Sequence, residues 1–577
     1  MRRRASIVLV LLAVSLAHAQ APLRTKHARH AMVVSVHELA SRAGVDTLRR
    51  GGNAVDAAVA TGFALAVVHP QAGNIGGGGF MLVRFASGDT HFVDYREKAP
   101  AAATRDMYVG NHVKPAASLV GYKAIAVPGS VAGMYYAHRK WGKLKWASLV
   151  APAIQLARSG FRFSQEDAED ILDPDVKELA DFPTSKRIFL SNPRTNKPYE
   201  QGDLLRQPEL ARTLERLARD PMEFYKGSMA RELAAFIQQG GGLVTARDLA
   251  AYEVKDRRPV RGRYRGYEII GAPPPSSGGI TLIETLNILE GYDLAQLGSR
   301  SADSMHLTVE ALRRAFYDRS DLLGDTDFAT APVAQLLDKK YAEAWRRSID
   351  PQHATPSAEL KRPAFEGMDV VAFLNRTHAA IREPEHTTHY SIIDAAGNAV
   401  AVTTTLNDSF GSRVTVEKLG FLLNDEMDDF TSAPGQPNTY SLIQSEANAI
   451  QPGKRPLSAM APAMVLKDGK LFLVLGSPGG PRIISTVLNI ILGVTDYGLD
   501  VQQAVAAPRF HHQWLPDEIR IERYGFSPDT LRALAERGHK FLIKSYWSDG
   551  ECIMVDPTSG ELLGATDPRS NGRALGY

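Results

Sequence analysis

The sequence predicts an α+β sandwich, with helix layers covering stacked β-sheets. Three observations predict it. HYSIID (389–394), a turn at AAGN and AVAVTTTL (399–406) alternate and punctuate as a two-stranded hairpin. APAMVL, KDG and KLFLVLG (461–476) repeat that scheme. SPGGPRIISTVLNIIL then reads as a Gly-rich loop that opens a long apolar helix, and a strand pair followed by such a helix needs a sheet face to cover.

The elements follow in chain order. Ala-heavy stretches at 40–68 and 130–160 predict helices, and AVDAAVATGFALAVVHP (54–70), which carries Asp56 and ends at Pro70, predicts a buried one. At 303–322, DSMHLTVEALRRAFYDRSDL places apolar residues at three- and four-residue intervals, which predicts an amphipathic helix. SPDTLRALAERG (527–538) supplies a Ser527 cap, Pro528 at the first helical position and Gly538 as the stop. No repeat of fixed period and no long Gly/Ser or Pro-rich linker interrupts the chain. One large interlocked unit is expected.

The 577 residues are 44% hydrophobic and 23% charged, an ordinary globular composition. Residues 1–21, MRRRASIVLVLLAVSLAHAQA, combine three arginines, an apolar run and the triplet Ala17-His18-Ala19. This pattern predicts a secretory signal cut after Ala19, since the apolar run is about half of the roughly 20 residues that cross a membrane. Losing Arg2, Arg3 and Arg4 takes the formal charge from +3 to 0, which removes support for a polyanion-binding role. With Cys552 the only cysteine, an exported chain must hold together by packing, without an intramolecular disulfide. A bacterial periplasm or the medium fits.

Several familiar chemistries are excluded by reading. His37-Glu38-Leu39-Ala40-Ser41 starts like a zinc-protease helix but has serine in place of the second histidine. No G-x-S-x-G elbow occurs, and the glycine runs at 76–79 and 476–480 lack the Lys-Ser/Thr ending of a phosphate loop. The pairs His386/His389 and His511-His512 have no accompanying carboxylate or cysteine set at metal spacing.

There remains Thr387-Thr388, set between His386 and His389. From local composition these are β-branched residues at a strand start. A threonine hydroxyl inside a chain is a poor nucleophile because its proton needs a base. Cutting the peptide in front of it creates an α-amine, whose pKa of about 7.7–8.0 suits that task near neutral pH.

The wider sequence resembles the γ-glutamyltransferase (γ-glutamyltranspeptidase) family of N-terminal nucleophile hydrolases over almost the whole mature chain. T-T-H-Y-S (387–391), T-x-N (405–407), N-x-x-M-D-D-F (424–430), K-R-P-L-S (454–458), G-S-P-G-G (476–480) and D-P-R (567–569) occur in family order. Upstream, GGNAVDAA (51–58), GNIGGGGFM (73–81), DYREKAP (94–100) and PPPSSGG (273–279) match as well. The resemblance implies a four-layer αββα sandwich of the N-terminal nucleophile hydrolase type, built from two subunits of one precursor. It implies cleavage between His386 and Thr387, giving a large subunit (20–386) and a small subunit (387–577) that stay together as a heterodimer.

Roles carried over from the resemblance begin with Thr387 as nucleophile and Thr405 as the residue bonded to its hydroxyl. Gly479 and Gly480 would offer N–H groups to an oxyanion. Arg96 would grip the substrate α-carboxylate with two charge-assisted bonds, helped by Ser458. Asn407, Glu426 and Asp429 would hold the ammonium, and Tyr440 would gate the site within the lid-like stretch 431–446. Two departures stand out. Glu426 lies where some members carry Gln, and Ala459 replaces a commonly second serine, removing a hydroxyl donor from the carboxylate site.

The implied function is an exported, self-cleaving γ-glutamyltransferase and glutathione hydrolase. It would take the glutamyl group from glutathione or related γ-glutamyl compounds and pass it to water, amino acids or dipeptides. No metal or organic cofactor is implied, and neither nucleic acid nor membrane is an expected partner. The alternatives are a glutaryl-type β-lactam acylase of the same superfamily and a periplasmic γ-glutamyl-peptide binding protein that never matures.

Overall fold

Two seven-stranded sheets stack face to face with helices on both outer surfaces. The computed structural model describes residues 24–110, 116–172, 174–366, 387–431, 438, 441–442 and 444–577. The expected signal segment 1–19, His386 and Tyr440 therefore lie outside the described residues, as does much of the expected lid.

In the first sheet the strand order is Lys26–Ala28, Leu562–Ala565, Cys552–Val555, Lys470–Leu475, Ala463–Lys467, Tyr267–Gly271 and Val260–Tyr264. The second runs Arg573–Gly576, Met32–Ser35, Thr387–Ile393, Ala399–Thr405, Gly78–Arg84, Thr90–Asp94 and Lys255–Arg257. Both expected hairpins form, as Thr387–Ile393 with Ala399–Thr405 and as Ala463–Lys467 with Lys470–Leu475. Strands from before and after residue 387 are hydrogen-bonded neighbours at several places in both sheets, so the single interlocked unit is realised at the level of backbone hydrogen bonds.

Because both faces of the second sheet are covered, its strands are apolar nearly throughout and distribute residues by parity. Met81, Val83, Tyr390, Ile392, Val400 and Val402 enter the core under the helices, whereas Phe80, Leu82, Ile393, Ala399 and Ala401 enter the core shared with the other sheet. The helix Ala54–Val68 is buried at every position, as expected for an element pressed between sheet and helices. Its one charge is accommodated: Asp56 closes a capping box with Asn53 and accepts from the backbone of Lys143 and Leu144.

The helix Ala302–Leu322 departs from the amphipathic expectation. Its polar face is not solvated: Glu310, Arg313, Arg314, Asp318 and Arg319 are all buried. The charges are absorbed by local and long-range partners. Glu310 pairs with Arg313 and Arg314, and Asp318 accepts from Tyr341, Trp345 and Arg362. Helical periodicity revealed a polar face but could not say that other chain segments would cover it.

Candidate active site

Thr387 opens a strand whose first residue lies opposite Thr405, and the two hydroxyl oxygens are 3.1 Å apart. Strand parity sends Thr387, like Ile393, toward the inter-sheet side, and Thr388 the other way. A one-residue slip in register would exchange them. Thr405 Oγ1 also accepts from the backbone N–H of Asn407 at 2.9 Å, and Asn407 holds a left-handed φ of +81° while donating its amide to the Asp425 carbonyl. The nucleophile candidate is thus fixed by a hydroxyl that is itself fixed by the next turn.

A buried charge cluster lies beside it. Arg96, 1% exposed, pairs with Glu426 and Asp429 and lies 3.6 Å from Glu97. Burial opposes its charge, but the carboxylates of Glu426, Asp429 and Glu97 outweigh that and hold its pKa above the ordinary arginine value. Burial pushes Glu97 up to about 7 against the pull of Arg96, and drives Glu426 well above the usual carboxylate range. Backbone anchors place these groups: Tyr252 donates to the Arg96 carbonyl, Asn424 accepts from the Glu426 N–H, and Asn448 donates to the Asp429 carbonyl. Ser458 Oγ accepts from Met460 N at 3.0 Å, which leaves its hydroxyl proton to be donated elsewhere.

One cavity gathers Thr387, Thr405, Arg96, Asn407, Glu426, Asp429, Ser458 and Gly480. Its free volume is only ≈ 20 Å³, room for about one water. Admitting an amino-acid-sized group therefore requires the lining to move apart. Thr387 is also the residue shared with a far larger open cleft of ≈ 690 Å³, lined by acidic Glu166, Glu169 and Asp170 and by basic Arg520, Lys544 and Arg569. The hydroxyl stands at the junction of a closed, charged pocket and an open one.

Gly479 and Gly480 take positive φ values of +120° and +57° just before the helix Arg482–Thr495. At Gly479 a side chain is excluded, since a Cβ would come within 2.0 Å of Ser548 Oγ. This turn brings the positive end of the helix toward Thr387. Gly480 lines the cavity, and Gly479 precedes it in the same turn.

The histidines have other duties. Ser391 Oγ donates to the Glu551 carbonyl, so it accepts from His389 Nε2, and His389 Nδ1 in turn accepts from Thr403. Burial lowers His389 to about 3, leaving a neutral strut between the sheets. His511 bonds Ser485 and Gln513, and His512 accepts from Trp514 N. His306, Glu310 and His539 present ligand-type atoms within 4.8 Å of one another, yet Arg313 and Arg314 already pair with Glu310 and would repel a cation.

Eight of the residues singled out in the sequence thus meet in one cavity. Sequence reasoning missed two further charged residues, one lying 3.6 Å from Arg96 behind the cavity and one in its wall. Glu97, adjacent to Arg96 in DYREKAP, was hidden by its ordinary appearance as a surface acid. Arg319, which lines the cavity, belongs to the stretch 303–322, where periodicity predicts only an amphipathic helix. Glu97 yields a pH expectation. Its folded pKa is raised from 4.5 to about 7, so the folded state holds a proton that the unfolded chain releases, and stability falls as pH rises from about 4.5 to 7. Glu97→Gln should flatten the melting temperature over that window, and an unchanged slope would exclude Glu97 as its source.

Comparison with known proteins follows from this geometry. The family described as Gamma-glutamyltranspeptidase matches residues 40–577. A protein named glutathione hydrolase proenzyme, from Escherichia coli strain K12, is 48% identical over 546 residues, covering 94% of this chain and 91% of that one. The crystal structure of a cephalosporin acylase from Bacillus halodurans superposes with a TM-score of 0.83 at 26% identity, covering 98% and 99% of the two chains. That of Helicobacter pylori γ-glutamyltranspeptidase gives 0.56 at 43% identity, over 58% of this chain and 96% of that one.

Proposed function

The chain belongs to the γ-glutamyltranspeptidase family and is a γ-glutamyltransferase, and from that premise we propose that Thr387 is its nucleophile, exposed by cleavage of the His386–Thr387 bond. The single observation that carries this reading is the shared cavity. A hydroxyl able to attack a carbonyl lies in one small space with a guanidinium and carboxylates, the complement of an amino-acid zwitterion. The fold, an αββα sandwich, keeps both products of the cut in register, because residues 20–386 and 387–577 both contribute strands to each of the two sheets. We also assign residues 1–19 to an export signal; among the described residues no helix is long and apolar enough to cross a membrane.

In maturation, Thr387 Oγ attacks the His386 carbonyl, the acyl group shifts from nitrogen to oxygen, and water opens the ester. This frees the His386 carboxylate and the Thr387 α-amine. In turnover, the neutral amine takes the hydroxyl proton as Oγ attacks the γ-carbonyl of glutathione. The N–H groups of the Gly479–Gly480 turn receive the oxyanion. The protonated amine then gives its proton to the leaving nitrogen, releasing cysteinylglycine and a threonyl ester. Water or an acceptor amine attacks that ester from the open cleft, the same amine removes its proton and returns it to Thr387 Oγ as the acyl C–Oγ bond breaks, and glutamate or the new γ-glutamyl compound leaves. Thr405 donates to the Thr387 oxygen, directing the remaining proton toward the amine. Arg96 and Ser458 hold the α-carboxylate, and Asp429, Glu426 and Asn407 the ammonium. Tyr440 gates the pocket.

The rival substrate is a glutaryl group, which has the carboxylate but no ammonium. Glu426 and Asp429 favour the amino acid, since an ammonium adds a cation to the acidic groups that share Arg96, whereas a glutaryl group brings only another negative charge into the buried cluster. Turnover of γ-glutamyl-anilide against glutaryl-anilide tests this, and preference for the latter would overturn it. Restoring the missing donor with Ala459→Ser should lower KM for γ-glutamyl-anilide by about 3- to 10-fold with little change in kcat, as expected for one further hydrogen bond of about 1 kcal/mol. An unchanged KM would mean that position 459 does not face the carboxylate.

A further inference from the structure

Arg319 is a buried cation with no anion of its own. It closes the helix Ala302–Leu322, is 1% exposed, and lines the same cavity as Arg96, Ser458 and Ala459. Its Nε donates to Ser277 Oγ at 2.8 Å, while Nη1 has no hydrogen-bond partner among the described residues. Several other buried arginines have a carboxylate: Arg313 and Arg314 reach Glu310, Arg455 reaches Asp94, and Arg509 reaches Asp567, while Arg84, which also lacks one, spends its guanidinium on the backbone carbonyls of Phe85 and Gly469 and lines no such cavity. No carboxylate within 4.0 Å pairs with Arg319 among the described residues. A desolvated charge left without a counterion is costly, so a chain that keeps one in a cavity wall has an anion to receive there.

The neighbourhood indicates which anion. Ser277 Oγ, which receives the Arg319 Nε proton, donates to the Ser458 carbonyl at 2.7 Å, so Arg319 and Ser458 are tied to one wall by a short chain of hydrogen bonds. Ala459, next along that wall, contributes no donor. Arg96, meanwhile, is engaged by two carboxylates that must themselves turn to an ammonium. We propose that Arg319 is a second guanidinium for the substrate α-carboxylate, supplying from the helix the donor that Ala459 lacks. This rests on the γ-glutamyl reading of the cavity and extends it: specificity for the amino-acid end comes from two arginines facing two carboxylates, a charge-balanced frame for a zwitterion.

The competing role is to position Asp429, whose charge also acts on Arg319. Three anilides separate the two roles: γ-glutamyl, glutaryl (no ammonium) and 4-aminobutyryl (no α-carboxylate). For Arg319→Met, KM for the γ-glutamyl and glutaryl compounds should rise about 10- to 100-fold, the range of one lost charge-assisted hydrogen bond, with kcat for the γ-glutamyl compound within about threefold. The 4-aminobutyryl compound should be turned over as by the wild type, within about threefold. Arg319→Lys, which keeps the charge, should recover most of the KM loss. Loss on the ammonium-bearing compounds with the glutaryl compound spared would assign Arg319 to Asp429 and overturn the proposal. Equal loss on all three, or failure of both variants to self-cleave, would overturn it too, since a substrate contact is not needed for maturation. Wild-type protein inactive on γ-glutamyl-anilide would instead defeat the underlying functional reading.

Discussion

Thr387→Ala remains one chain on a denaturing gel and loses turnover by on the order of 10⁴-fold or more, the scale seen when a nucleophile is deleted. Both losses have one origin, because the same oxygen opens the peptide before it and later carries the glutamyl ester. The side chain is 7% exposed and its hydroxyl lies 3.1 Å from that of Thr405, so the substitution removes an oxygen and a methyl group without opening a large cavity. Folding should therefore survive. Thr387→Ser, which keeps the oxygen, should be cut and retain activity. Amino-terminal sequencing of the small fragment from wild-type protein checks the assignment directly: it must begin at Thr387. A Thr387→Ala protein that still separates into two bands would refute the mechanism.

The second large effect concerns Arg96. Arg96→Met should lower kcat/KM for γ-glutamyl-anilide by about 10³-fold and also destabilise the protein, because it strands Glu426 and Asp429 in a buried site. Removing one partner of a buried ion pair typically costs about 3–5 kcal/mol. The two consequences can be parted. Adding Glu426→Gln and Asp429→Asn to Arg96→Met removes the stranded charges and should return much of the melting temperature, yet no activity, since the substrate then finds neither counterion. Recovery of turnover in that triple variant would show that Arg96 serves the fold alone. Arg96→Lys should keep most of the stability but less of the affinity, a single ammonium being unable to present two parallel donors to a carboxylate.

Much of this was legible in the chain. The hairpin at 389–406 could be read from alternation and a turn, the buried helix at 54–68 from its unbroken apolar run, and the Ser527 cap from three residues. These features depend on neighbours a few positions away. Thr387, Thr405 and Gly480 could be identified by resemblance, and they do meet. Arg319 could not be found in this way. Its helix shows a polar stripe that, seen alone, is indistinguishable from a solvated surface, and only the segments packed over it turn that stripe into part of a cavity wall. Glu97 was obscure for a related reason, because burial rather than residue type lifts its pKa toward neutrality.

The sequence by itself determined the fold class, the hairpin that begins at Thr387, and the set of residues proposed to recognise an amino-acid end. Strand alternation and helix punctuation are local, and a dense set of ordered motifs carries family membership without coordinates. The tertiary structure decided which of two adjacent threonines faces the charged cavity and that Arg96 meets Asp429 across 333 residues of chain. It also decided that Arg319 would be buried with no carboxylate within 4.0 Å among the described residues. Those outcomes turn on register and desolvation, which arise only when distant segments close over one another and exclude water.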